Sequence, residues 1–298
     1  MDDADSRIIF VSGLPRAGTS MTVAWLDQAI AEDHLWLKES GTLNLAHHML
    51  CAMEFERRSH RWGFDLVRDT GRRSVALGHV RRLALDLYGS YGWRRGMPIV
   101  DKEPYFASDG PLFYSHLFEL FPRLKLICML RNPRSVISSM MQRPWARGPF
   151  PRLNRLSPFS HDTQTLDNCM VDVLPGGPDE PFIGRPGMWS LEKCCASYRS
   201  AVRAMDAVAA SGRKVLILNY ENLHDARTVQ KVVEAHVEID FTTGYTFNPG
   251  APAMEFGAGE EAVLARELGD TGVLEAYARL RDMAAAPIGP RPSLSSHA

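Results

Sequence analysis

With 298 residues, 45% of them hydrophobic and 23% charged, the chain has material for a large core, and its formal net charge of -1 leaves no basic surplus to attract nucleic acid. No apolar stretch approaches the roughly 20 residues of a membrane span, and the opening MDDADSR is acidic where a secretion signal is basic, so the expectation is a cytoplasmic protein without membrane insertion. The five cysteines, Cys51, Cys128, Cys169, Cys194 and Cys195, are odd in number, scattered and without CxxC spacing. They read as reduced thiols, mostly core, and with no His–Cys cluster in the sequence no metal is expected.

The first element is RIIFVS at 7–12, a continuous apolar run of the kind found in a parallel sheet covered on both faces. It runs into GLPRAGTS, where Gly13 and Gly18 bracket a turn and the hydroxyls of Thr19 and Ser20 open a helix. A strand, a glycine turn and a helix N-terminus make a phosphate cradle, because backbone N–H groups point at the anion and glycine lets the chain approach it. The glycine spacing is that of a nucleotide-binding P-loop. The lysine expected after the second glycine is replaced by Thr19, however, and the cation, Arg16, sits inside the loop. Pro15, Arg16, Ala17, Gly18, Thr19 and Ser20 are the candidate phosphate-binding set.

Glu39, in WLKESGTLNL, precedes Ser40 and a helical run, so helix capping and chemistry are both open to it. Residues 43–96 are helix-rich and are expected to form a cap facing the substrate. His47, His48, His79 and His116 fall on helical segments and read as surface or satisfied core. MPIVDK at 97–102 is a second strand ending on Lys102, and LKLICMLR at 124–131 a third ending on Arg131; the carboxyl ends of such strands line a ligand crevice. After the third, Asn132 caps a helix that Pro133 opens and that carries Ser139. Residues 143–188 are dense in proline and glycine and read as a lid over the site or as a disordered insertion. The aromatics around it, Trp145, Phe150, Phe159 and Trp189, receive no role. A helix at 189–210, a fourth strand RKVLILNY at 213–220 and a disordered tail at 285–298 complete the reading. The expected fold class is α/β: one domain over 1–284, a P-loop-like parallel β-sheet flanked by helices.

GLPRAGTS resembles the 5′-phosphosulfate loop of sulfotransferases, G-x-P-[RK]-[SA]-G-T-[ST], and LICMLRNPRSVISS resembles their 3′-phosphate motif, in the same order along the chain. LILNYENL is similar to the family's late strand, and VDKEPYF to a segment of its tyrosylprotein and bacterial carbohydrate branches, so the likeness spans about residues 7–225. The resemblance implies the sulfotransferase fold, 3′-phosphoadenosine 5′-phosphosulfate (PAPS) as donor, adenosine 3′,5′-bisphosphate as product, and no metal. It places Arg131 and Ser139, eight residues apart, on the 3′-phosphate, and Tyr220 against the adenine. It makes Lys102 a catalytic cation beside Arg16, and Glu39, twenty-three residues after Arg16, the base. Glu103 fits a structural partner of the lysine better and is the second candidate base.

Some features depart from the steroid and phenol branch: Met21 stands where a tryptophan often packs on adenine, and no Lys-Thr-His segment supplies a histidine base. The implied acceptor is a hydroxyl of a small metabolite, sugar or lipid. Two other readings stand beside this one. In a nucleotide or small-molecule kinase, Asp101 of MPIVD would hold Mg²⁺; in a nucleotide-binding module the cradle would persist without catalysis.

Overall fold

The computed structural model describes residues 6–59, 70–104, 110–141, 191–223, 225–242, 256–269 and 271–285. The expected 143–188 lid, the aromatics around it, Cys169 and the tail from 286 onward lie outside them. The four apolar runs form strands β1 (Ile8–Gly13), β3 (Ile99–Pro104), β4 (Lys125–Leu130) and β5 (Val215–Asn219), joined by a short edge strand, β2 (Leu35–Trp36). All pairings are parallel, in the order β2-β3-β1-β4-β5. Every residue of β1 and β4 is buried, which is why their sequences are apolar throughout and do not alternate.

The helices are α1 (Thr19–Ala29), α2 (Thr42–Ser59), α3 (Thr70–Ser90), α4 (Gly110–Leu120), α5 (Pro133–Met141), α6 (Leu191–Ala210), α7 (Ala226–Val237), α8 (Ala258–Leu268) and α9 (Thr271–Ala285). The expected helix-rich span is α2 and α3, packed on each other and on α4, while α6 packs against α4, α5, α8 and α9. Asn132 caps α5 as its sequence predicts: its side-chain oxygen accepts from the Arg134 amide at 3.0 Å, with Pro133 in first position.

Strand β2 was not expected, and it matters for the site. Its ladder along β3 continues past Trp36: Leu35 N–H donates to the Pro98 carbonyl at 2.9 Å, Leu37 to Val100 at 2.8 Å and Glu39 to Lys102 at 2.8 Å. Backbone pairing thus brings Glu39 alongside Lys102. The chain passes from β1 to β2 and β3 on one side, then crosses to β4 on the other. That reversal makes β1 the switch point, where the crevice of an open α/β sheet lies beyond the strand carboxyl ends.

Candidate active site

The loop leaves β1 through Gly13, whose φ of 142° and contact with β4 both exclude a side chain: a Cβ there would lie 2.8 Å from the Met129 carbonyl oxygen. Gly18, at φ 105°, stands at the head of α1, and a Cβ there would meet the Tyr220 ring at 2.7 Å. The first helical bond of α1 is Thr22 N–H to the Gly18 carbonyl at 3.0 Å, so the amides of Thr19, Ser20 and Met21 precede the ladder and are the groups a bound anion would meet. Pro15 and Ala17 are buried; Pro15 has no N–H to offer an anion, and the Ala17 N–H donates to the Leu14 carbonyl at 3.0 Å.

Arg16 has a left-handed backbone, φ 72°, that sends its side chain across to α5, where Nε donates to Ser139 Oγ at 3.0 Å. Its carbonyl accepts from Arg131 Nη1 at 2.7 Å, and the Arg131 guanidinium lies over the Tyr220 ring, 4.1 Å from its centroid. Arg16, Arg131, Ser139 and Tyr220 therefore meet at one place, from four separate segments. Arg131 Nε is buried and makes no hydrogen bond.

Across the loop, Lys102 Nζ donates to Ser20 Oγ at 2.9 Å and to the Glu39 carboxylate. The lysine side chain is 2% exposed and that of Glu39 35%. Burial pulls the Lys102 ammonium below the ordinary lysine value, and Glu39 opposes the shift. Glu39 also has a left-handed backbone, φ 63°. Among the described residues, left-handed φ at non-glycine positions occurs at Arg16, Glu39 and Glu238, so two of the three lie here, where strain collects at functional sites. The capping role open to Glu39 falls to its neighbour: Ser40 Oγ accepts from Thr42 N–H at 3.1 Å.

Side chains alternate along β3, so Asp101 and Glu103 face away from Lys102. Asp101 is fully buried, accepting from Ser40 Oγ, from Tyr88 at 2.9 Å and from the Lys102 amide at 2.8 Å. Those bonds turn it to the interior, where Ser40, Tyr88 and the backbone hold it. Glu103 is 2% exposed, and neither carboxylate oxygen has a hydrogen bond of ordinary geometry. Burial first, then Asp101, holds its carboxyl well above the usual range, although the amides of Gly41 and Asn44 pull the other way.

A carboxyl raised by folding stabilises least where it must ionise. Glu103→Gln is accordingly expected to melt above wild type near about pH 8, with the gap closing as pH falls toward the ordinary carboxylate range. A gap independent of pH in thermal melts would show that this carboxyl carries no such cost.

The histidines divide as expected between core and surface, with one correction. His47 and His116 are buried and His79 is exposed. His47, Cys51 and His116 nevertheless form a His–Cys cluster that no spacing in the sequence announced: Nδ1 of His47 lies 3.0 Å from Nδ1 of His116, and Cys51 Sγ 3.4 Å from His47 Nε2. Burial, then His116, pulls His47 down to about 3.

The chain matches the sequence model of the Sulfotransferase family over residues 8–171. It belongs to the sulfotransferase family. The matched span holds the glycine loop, Glu39, Lys102, Arg131 and Ser139; Tyr220 lies beyond it. No curated protein matches the chain in sequence. Among solved structures it is similar to the sulfotransferase domain from the Synechococcus PCC 7002 olefin synthase, with 16% identity, TM-score 0.44 and 95% of each chain covered. A sulfotransferase from Alicyclobacillus acidocaldarius is similar at 15% identity and TM-score 0.48, over 92% of this chain and 98% of that one. Sulfotransferase STF9 from Mycobacterium avium is similar at 13% identity and TM-score 0.41, over 93% and 76%. Family membership makes sulfuryl transfer the reaction class. Among the described residues no helix is long and apolar enough to cross a membrane.

Proposed function

We propose that this sulfotransferase moves the sulfuryl group of PAPS to a hydroxyl of a small metabolite, sugar or lipid and releases adenosine 3′,5′-bisphosphate. The observation that carries the reading is the junction at Lys102, where one buried ammonium donates both to Ser20, at the anion-facing start of α1, and to the carboxylate of Glu39. A cation for a leaving phosphate and a base for an attacking hydroxyl share a single point. PAPS, when bound, supplies the activated sulfuryl group. Arg16 and the first amides of α1 would hold its 5′ end, and Arg131 with Ser139 its 3′-phosphate. The unbonded, buried Arg131 Nε and the close approach at Gly18 fit such a ligand.

The chain's own chemistry then needs no further group. Glu39 takes the acceptor proton through a carboxylate exposed enough to meet a hydroxyl, while Lys102 and Arg16 keep positive charge beside the loop. Tyr220 offers the adenine a ring already fixed by Arg131 and Gly18. The near-neutral net charge favours a small acceptor over a long polyanion.

The test is donor recognition together with turnover. The wild-type chain should bind adenosine 3′,5′-bisphosphate by calorimetry and transfer from PAPS to a panel of hydroxyl acceptors without added Mg²⁺. Arg131→Ala should weaken bisphosphate about 10- to 150-fold, the equivalent of roughly 1.5–3 kcal/mol for a contact to a charged group, and adenosine 5′-phosphate far less. Equal losses for both ligands would remove Arg131 from the 3′-phosphate, and a preference for ATP with Mg²⁺ would overturn the donor.

A further inference from the structure

We propose that His47, Cys51 and His116 form a zinc site that staples α2 to α4. His47 and Cys51 stand four residues apart on one face of α2, and His116 reaches them from α4. Their three donor atoms all lie within 4.8 Å of one another, the two Nδ1 atoms 3.0 Å apart and Cys51 Sγ 3.8 Å from His47 Nδ1. A tetrahedral zinc with bonds of about 2.0–2.1 Å to nitrogen and 2.3 Å to sulfur sets its ligand atoms roughly 3.3–3.6 Å apart. The cluster therefore brackets those spacings, and a small rotation of each side chain closes it on an ion. Two imidazoles and a thiolate select a thiophilic metal over Mg²⁺ or Ca²⁺.

Both histidines are buried, with His47 set edge-on to Phe113 at 5.2 Å between ring centroids, and Cys51 is half-exposed. Water can therefore reach the fourth position from the cysteine side, as in zinc sites with three protein ligands. The site is separate from the donor cradle. It is linked to it along the chain, since α2 starts at Thr42, directly after the Glu39–Ser40–Gly41 turn. The proposal does not depend on the choice of donor or acceptor.

The test uses the full chain, free of any polyhistidine tag, stripped with a chelator and titrated with Co²⁺ and then Zn²⁺. Equimolar Co²⁺ should give the intense visible bands of a tetrahedral site and a near-ultraviolet thiolate-to-cobalt charge-transfer band, and Cys51→Ser should lose the latter. Saturating Zn²⁺ should raise the wild-type melting temperature by roughly 5 °C, and that of Cys51→Ser by less than half as much. Cys51→Ala replaces the serine variant if that chain does not fold. Absence of equimolar uptake, a weak octahedral cobalt spectrum, or a charge-transfer band that survives in the Cys51 variants would each overturn the site, the last by moving the metal to another cysteine.

Discussion

Glu39→Gln is expected to cut turnover by about 10²–10⁴-fold while bisphosphate affinity and melting temperature stay at wild-type values. Glutamine keeps the size of the side chain and an oxygen that accepts from Lys102, but it has no carboxylate to take the acceptor proton. The backbone cost of the left-handed conformation at φ 63° is common to both residues, so it cancels from the comparison. Glu39→Gly should also be inactive, but it should melt below Glu39→Gln: glycine relieves the Cβ penalty of this conformation and leaves the buried Lys102 ammonium without its acceptor. A residue held only for helix stability would behave otherwise, yet here Ser40 performs that capping. If folded Glu39→Gln binds the bisphosphate normally and turns over near the wild-type rate, the carboxylate is a bystander.

The sheet was legible because β1 and β4 are buried on both faces and their sequences say so without interruption. The glycine turn between β1 and α1 was legible because Gly13 and Gly18 punctuate the passage from an apolar strand to a helix. What escaped was whatever depends on backbone pairing or on distant helices. Strand β2 has two residues, one of them the exposed Trp36, and it is defined by hydrogen bonds to β3 that leave no apolar run to detect. Glu39 enters the sequence reading only through the family resemblance, which sets a glutamate at about its distance from Arg16; the register that lays it beside Lys102 needs the ladder.

The strand ending on Lys102 in the sequence runs on to Pro104, which turns Glu103 inward, to the side of Asp101. His47 and His116 are 69 residues apart, and no local pattern joins them. Helix α7 had no expectation attached to it, although its signal was present: Val229, Val233 and Val237 recur every four residues and are all buried.

Lys102→Met should cost turnover about 10²–10³-fold, the range for removing a preorganised charge from developing negative charge, and cost stability little. Methionine matches the length of the lysine stem and fills the same channel. The buried ammonium is held against a desolvation penalty, and its partner Glu39, at 35% exposure, can turn to water when left alone. An amine whose folded pKa lies below its unfolded value is least stabilising when charged. The wild type should therefore gain on the variant as pH rises through the folded value toward the ordinary lysine value, and the variant should compare best at neutral pH.

A purely structural ion pair predicts the reverse balance, a stability loss of about 3–5 kcal/mol with activity following the folded fraction. Denaturant titration and turnover measured on the same Lys102→Met sample separate the two. The double variant Glu39→Gln/Lys102→Met decides whether the residues work together: as one unit it should be no slower than the slower single variant, whereas independent residues would multiply their losses. Turnover within tenfold of wild type in folded Lys102→Met would leave Arg16 as the operative cation and reduce Lys102 to a tether between the loop helix and the edge of the sheet.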